Sequence, residues 1–192
     1  MSLLKNQRRI KTIKMNNIII IDLEATCWHG LVPAGQKNEI IEIGICMLDP
    51  TTGNITKNQG ILVKPQRSEV SSFCTSLTTI TPEMLDNHGV SLMQACEIIR
   101  NDYQGHRYTW ASYGQYDLNM IKKECKAKSV SYPLSADHIN VKELFTKQAE
   151  LKKNVGMKQA LDILSIPLEG THHRGIDDAK NIAKILNWCL NV

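Results

Sequence analysis

Two hydrophobic periods divide the chain, and carboxylates interrupt both. Residues Asn17 to Glu24 run through four isoleucines and end Asp22-Leu23-Glu24, a β-branched stretch that predicts a buried strand. Alternation puts Asp22 and Glu24 on one face, about 7 Å apart. Two like charges on such a poorly hydrated surface are costly unless cations compensate them. A second apolar run spans Asn38 to Asp49 through Ile40, Ile41, Ile43, Ile45 and Met47. Turn residues follow from Asp49 to Asn54, and Ile55 to Val63 resumes as a strand, so the three predict an antiparallel meander. The loop Cys27 to Lys37 is expected to border the acidic face.

The period then lengthens. Thr81-Pro82-Glu83 pairs an N-cap with proline at the first helical position, and Ser91-Leu92-Met93-Gln94 is a capping box. Arg107 to Ser112 reads as a short strand. Gln115 to Lys126, Val141 to Glu150, and Gly156 to Leu164 before Pro167 read as helices. In a last helix, from about residue 177 to 190, Ile182, Ile185, Leu186 and Cys189 follow Asp178 at helical spacing, which points Asp178 coreward. Asp177 leads instead to Lys180, Asn181 and Lys184, a solvated face, and reads as a first-turn acid interacting with the helix dipole. Three early strands followed by alternating helices and short strands predict an α/β fold, a mixed sheet flanked by helices.

At 192 residues and 42% hydrophobic, the chain suits one globular domain with a sizeable core. It has no apolar stretch near the length of a membrane span and no evident signal peptide, which fits a cytoplasmic enzyme without a membrane partner. The six cysteines, at 27, 46, 74, 96, 125 and 189, form no CxxC pair and read as reduced core thiols, so structural zinc is not expected. The net charge of +4 is uneven: residues 1–14 hold Lys5, Arg8, Arg9, Lys11 and Lys14 without an acid, leaving the remainder at −1. Residues 1–14 read as a phosphate-binding arm or, in the favoured reading, as a flexible N-terminal extension, an expression remnant or sequence ahead of a start at Met15, before a single domain over 15–192.

Asp117 is one turn into a helix, in register with Met120 and Ile121. With Asp22, Glu24 and Asp178 it makes a set of four inward carboxylates, hard oxygen donors suited to Mg²⁺ or Mn²⁺. Two such divalent cations can polarise a phosphodiester, acidify a water and stabilise the departing oxygen. His173, five residues before Asp178, could accept the water's proton. Each element also has a bland reading: strand and helix termini for the acids, a surface loop for His173. The order DxE, then D, then Hx₄D makes joint coincidence improbable.

That order resembles the DEDDh superfamily of 3′-to-5′ exonucleases. The segments Ile21–Cys27, Glu39–Glu42, Phe73–Thr81 and Gly175–Ala183 are similar to its Eri-type branch, which contains the histone-mRNA 3′-end exonuclease and bacterial KapD-like proteins. The resemblance implies a ribonuclease-H-like fold and two catalytic metals held by Asp22, Glu24, Asp117 and Asp178. It also implies His173 as general base and release of nucleoside 5′-monophosphates from a free 3′ end. The five-residue interval to Asp178 selects His173 over its neighbour His172. Ala25, Thr26 and Leu77 are implied contacts of the terminal nucleotide. Nucleic acid is the expected partner, single-stranded RNA ahead of DNA. No stem-loop-binding module of the kind carried by animal members is evident. Lys122, Lys123, Lys126 and Lys128 are candidate phosphate contacts or equally a solvated helix face. Tyr113, Tyr116 and Trp28 are candidate stacking groups or core and rim aromatics. The alternative function is a catalytically weak nucleic-acid-binding or regulatory module on the same fold.

Overall fold

The computed structural model describes residues 17–192; the basic segment 1–14 lies outside them. The anticipated meander is present. Strands β1 (Ile18–Ala25), β2 (Ile40–Leu48) and β3 (Ile55–Leu62) pair antiparallel in sequence order. On the other side of β1 lie two short parallel strands, β4 (Trp110–Ser112) and β5 (His138–Asn140). The sheet order is therefore β3-β2-β1-β4-β5. Seven helices complete the described residues: α1 (Ser72–Thr78), α2 (Pro82–His88), α3 (Leu92–Asp102), α4 (Tyr116–Ala127), α5 (Val141–Gln148), α6 (Met157–Ile163) and α7 (Gly175–Asn191). None is long and apolar enough to cross a membrane.

Local chemistry fixes the helix starts that the sequence marks. The Thr81 hydroxyl accepts the Met84 N–H ahead of Pro82, and Ser91 and Gln94 close a reciprocal capping box. Four outcomes differ from expectation. The strand expected over 107–112 is confined to 110–112, because Arg107 is held in a turn by its N–H bond to the Gln104 carbonyl. The last helix starts two residues early, at Gly175. Helix α1 and strand β5, both short, were not anticipated.

Strand β1 is covered on both faces, which is why it reads as an unbroken apolar run rather than an alternating one. Ile19, Ile21 and Leu23 pack with Leu92, Ile99, Met120 and Ile121 of α3 and α4. Ile18 and Ile20 pack with Phe145 of α5 and with Ile182, Ile185 and Leu186 of α7. Burying each isoleucine contributes roughly 1.5–3 kcal/mol, an apolar anchor for a strand whose last residues are acidic.

Helix α7 reaches the sheet through a backbone-to-backbone contact. Asp22 is paired with Gly44 of β2, and Gly44 lies directly beneath Gly175, the first residue of α7. A Cβ built on Gly44 would sit 1.8 Å from the Gly175 carbonyl oxygen, and one on Gly175 would sit 2.9 Å from the Gly44 nitrogen. Neither position has room for a side chain. The start of α7, and with it Asp178, is thereby set down beside Asp22.

Replacing Gly44 with Ala is expected to lower unfolding free energy by roughly 3 kcal/mol, the upper range for overpacking. Gly156→Ala, whose added methyl meets nothing within 4 Å, should change it by less than about 1 kcal/mol. Equal denaturant midpoints for the two variants would refute this account of the contact.

Candidate active site

Strands β1 and β4 part company after Ile20. Strand β4 pairs with β1 only through Ile19 and Ile20, and beyond Ser112 the chain turns away through Gly114 into α4. The edge of β1 left open is filled by a side chain: Asp117 Oδ1 accepts the Leu23 N–H at 3.1 Å. A carboxylate thus supplies the next rung of the ladder, satisfying a buried amide that a continued strand would have paired. Beside it, the end of β1, the start of α4, α6 and the entry to α7 enclose a cleft of about 210 Å³. Asp22, Leu23, Glu24, Tyr113, Tyr116, Asp117, Met157, His172, His173 and Asp178 line it.

On the face of β1 shared with Ile18 and Ile20, Asp22 and Glu24 meet Asp178 from the first turn of α7. One oxygen from each of the three lies within 4.8 Å of the others. Asp117 lines the same cleft from the β4 side and stands outside that tight triad, bound to β1. Burial drives Asp22 well above the usual carboxylate range, and the charges of Asp117, Glu24, Asp178 and Glu42 add to it. Glu24 is pushed up to about 8 by burial and by the charges of Asp178, Glu42 and Asp117. Asp117 rises to about 6 through burial, held back by the Leu23 N–H and by the Lys142 charge. Burial also raises Asp178, against hydrogen bonds from His173 and His172. These are hard oxygen donors in a setting short of positive charge, and a divalent cation fits both the donor chemistry and the deficit.

Both histidines of the loop before α7 reach the cleft. The His173 N–H donates to Asp178 Oδ2 at 2.9 Å, and His172 Nδ1 lies 3.0 Å from the same oxygen. Their rings stack with centroids 4.0 Å apart. His173 has φ of +65°, a left-handed conformation that turns the chain into the helix. Burial, and secondly the His172 charge, lower its pKa, which favours the free-base imidazole. Sequence spacing singled out one histidine; the structure brings two to Asp178.

Other expected residues fall differently. Thr26 is fully buried, its hydroxyl donating to the Lys37 carbonyl and accepting the Glu39 N–H. Its backbone groups bond Glu39 and Asn38, so it braces the loop after β1, and it does not line the cleft. Ala25 ends β1 and Leu77 is exposed on α1; neither lines the cleft. Tyr113 and Tyr116 line it, Trp28 does not. Lys122, Lys123 and Lys126 are exposed. Lys128 is not free for phosphate, because it pairs with Glu39 at 3.1 Å and Glu124 at 2.8 Å, both buried. Nor is the Asp177 face uniformly solvated: Asp177 accepts the Thr171 N–H, and Asn181 is fully buried between Asp177 and Glu169.

Three residues of this region escaped the sequence reading as individuals. Met157 contributes to the cleft wall from α6. Lys142 sits 5.4 Å from the centre of the Tyr113 ring, its charge acting on Asp117. Glu42, a charge within a wholly buried strand, carries the same signal that marked Asp22.

This geometry has counterparts. The chain is 29% identical over 177 residues to 3′-5′ exoribonuclease 1 of Rattus norvegicus, covering 88% of this chain and 51% of that protein. It is 27% identical over 207 residues to the 3′-5′ exonuclease Snipper of Drosophila melanogaster, covering 95% and 73%. The chain thus spans about half the length of the first of these curated relatives. Among solved structures, the nuclease domain of 3′hExo, a DEDDh family member bound to rAMP, matches with a TM-score of 0.79 at 28% identity, covering 92% of each chain. The mixed sheet and its helices accordingly form a ribonuclease-H-like exonuclease fold. Residues 19–186 match the exonuclease family RNase_T, and the chain belongs to that family.

Proposed function

We propose that residues 15–192 form one exonuclease domain that hydrolyses nucleic acid from a free 3′ end and releases nucleoside 5′-monophosphates. The observation that carries this reading is the convergence of Asp22, Glu24 and Asp178, each raised in pKa, in a cleft that Asp117 and His173 also line. Family membership supports it, and so do the names of the relatives. Asp22, Glu24, Asp117 and Asp178 would hold two divalent cations, Mg²⁺ or Mn²⁺. When bound, these supply Lewis acidity to the scissile phosphate and neutralise charge on the departing oxygen. His173, whose partial burial favours the free base, takes the proton of the attacking water. The open side of the cleft, flanked by exposed Tyr116, admits one strand end. Single-stranded RNA is the favoured substrate over DNA, in keeping with the exoribonuclease relative and the rAMP held by the matching nuclease domain. Six unpaired cysteines suit a reducing compartment, and we place the protein in the cytoplasm.

The direct test is incubation of 5′-labelled single-stranded RNA and DNA with Mg²⁺ or Mn²⁺. Stepwise shortening with 5′-monophosphate products, abolished by EDTA and by a blocked 3′ end, is expected, with RNA degraded faster; internal cleavage would exclude the reading.

His173→Ala should leave Mn²⁺ binding intact while lowering kcat by roughly 10²-fold or more. Calorimetry for the metal and single-turnover kinetics for the chemistry separate the two. Full activity in that variant would remove His173 from its role.

Stability should depend on pH with a definite sign. Glu24 rises from 4.5 to about 8 on folding and Asp117 from 3.8 to about 6. The stability these acids contribute when protonated is therefore complete below about pH 4 and is lost as pH rises through 6 to 8. Metal-free protein should lose Tm over that interval, less so in Glu24→Gln. The Tm increment from Mn²⁺ should be larger at pH 8 than at pH 6. An increment independent of pH would contradict metal binding at these carboxylates.

A further inference from the structure

Glu42 has no task in the chemistry proposed above, yet it is among the most fully engaged side chains of the site. It lies opposite Glu24 in the β1–β2 ladder and is 0% exposed. Both of its oxygens are committed to the start of α7. Oε2 accepts the Gly175 N–H at 2.7 Å and Arg174 Nε at 3.3 Å, while Oε1 accepts Arg174 Nη2 at 3.2 Å. Arg174 is the N-cap residue of α7 and makes no side-chain cap of its own. A carboxylate from the adjacent strand therefore takes over the capping, with the helix dipole favouring its charge. Strand β3 makes room for it, since a Cβ on Gly60 would lie 2.4 Å from Glu42 Oε1.

The same guanidinium has a second anchor. Arg174 Nη1 donates to Thr79 Oγ1 at 3.2 Å, and Thr79 is the left-handed residue that ends α1. Arg174 is thus pinned from two elements, with His173 on one side of it in the chain and Gly175 on the other. The residue next to this pinned arginine is His173, whose backbone N–H donates to Asp178 Oδ2 at 2.9 Å. A paired, bidentate arginine–carboxylate contact of this kind gives geometric definition as well as energy.

We infer that Glu42 and Arg174 are positioning residues of the active site, a latch between β2 and the histidine loop that orients His173 and Asp178 without touching substrate. The inference rests on the proposed roles of His173 and Asp178. It assigns a function to the third acid of the β1–β2 pair and explains why a charge is kept at the centre of an apolar strand.

The test compares Glu42→Gln, Arg174→Ala, Arg174→Lys and the Glu42→Gln/Arg174→Ala double variant in the full chain. Activity is measured on single-stranded RNA with Mn²⁺, at a temperature where circular dichroism shows every variant folded. Each of the first two should lower kcat roughly tenfold or more, as small misplacements of catalytic groups do, with KM within about twofold of the parent. The double variant should lose no more than the weaker of the two singles, and Arg174→Lys should recover part of the loss from Arg174→Ala. Unchanged kcat in Arg174→Ala, or losses that multiply in the double variant, would overturn the latch. If Glu42→Gln does not fold, the Arg174 pair decides alone. Loss of activity in His173→Ala with full kcat in Arg174→Ala refutes the latch and spares the functional reading, whereas an inactive parent chain refutes both.

Discussion

Everything at the candidate site depends on how closely helix α7 can approach the sheet. Gly44 and Gly175 meet backbone to backbone, so α7 begins one residue layer from β2 instead of riding on side chains. The contact lies across the ladder from Asp22, and three residues into the helix is Asp178. Two methylene-sized absences therefore determine whether carboxylates from opposite ends of the chain share a few ångströms of space. The isoleucine layer beneath, Ile18 and Ile20 against Ile182, Ile185 and Leu186, supplies the apolar energy that holds them there.

What results is an acidic cluster that the fold tolerates without neutralising it. Lys142 acts on Asp117, but other cations nearby are diverted: Arg174 pairs with Glu42, and Lys128 and Lys37 serve Glu124 and Glu39. Glu39 shows the contrast. It is as fully buried as Glu42, yet accepts three backbone N–H groups from Gln66, Arg67 and Ser68 besides the Lys128 charge, which together outweigh its burial and hold it down at about 2. Glu24, with no such donors, is driven the other way. The same residue type is thus stabilised as an anion in one corner of the molecule and kept short of partners in another.

The long, strongly periodic parts of this architecture were legible in the sequence. The isoleucine strand, the meander and α7 follow from apolar runs, and Asp178 was distinguished from Asp177 by helix phase alone. Helix α1 was hidden because its seven residues bury only Cys74 and Thr78, too few to make a stripe. Strand β5, three residues long and half-buried, leaves no periodic trace. The individual acids could be named from local pattern, but tertiary partnership could not. Nothing in Lys128 announces an ion pair, and nothing in Thr26 announces that its hydroxyl ties Lys37 to Glu39. Asn181 looked like a surface residue because its partner, the 169–171 segment, has no regular period to betray its return over α7.

The rung that Asp117 contributes to β1 has a consequence for how this protein can be studied. One oxygen of that side chain is part of the sheet, bonded to the Leu23 N–H, so position 117 belongs to the architecture as much as to the cleft. Removing its carboxylate leaves a buried amide orphaned at the point where β1 and β4 diverge. Inactivity in such a variant would mix lost chemistry with a loosened strand. Asp22 and Glu24 project from the strand without lending it a hydrogen bond among those described, and amide replacements there disarm the cleft while leaving the sheet's own bonding intact.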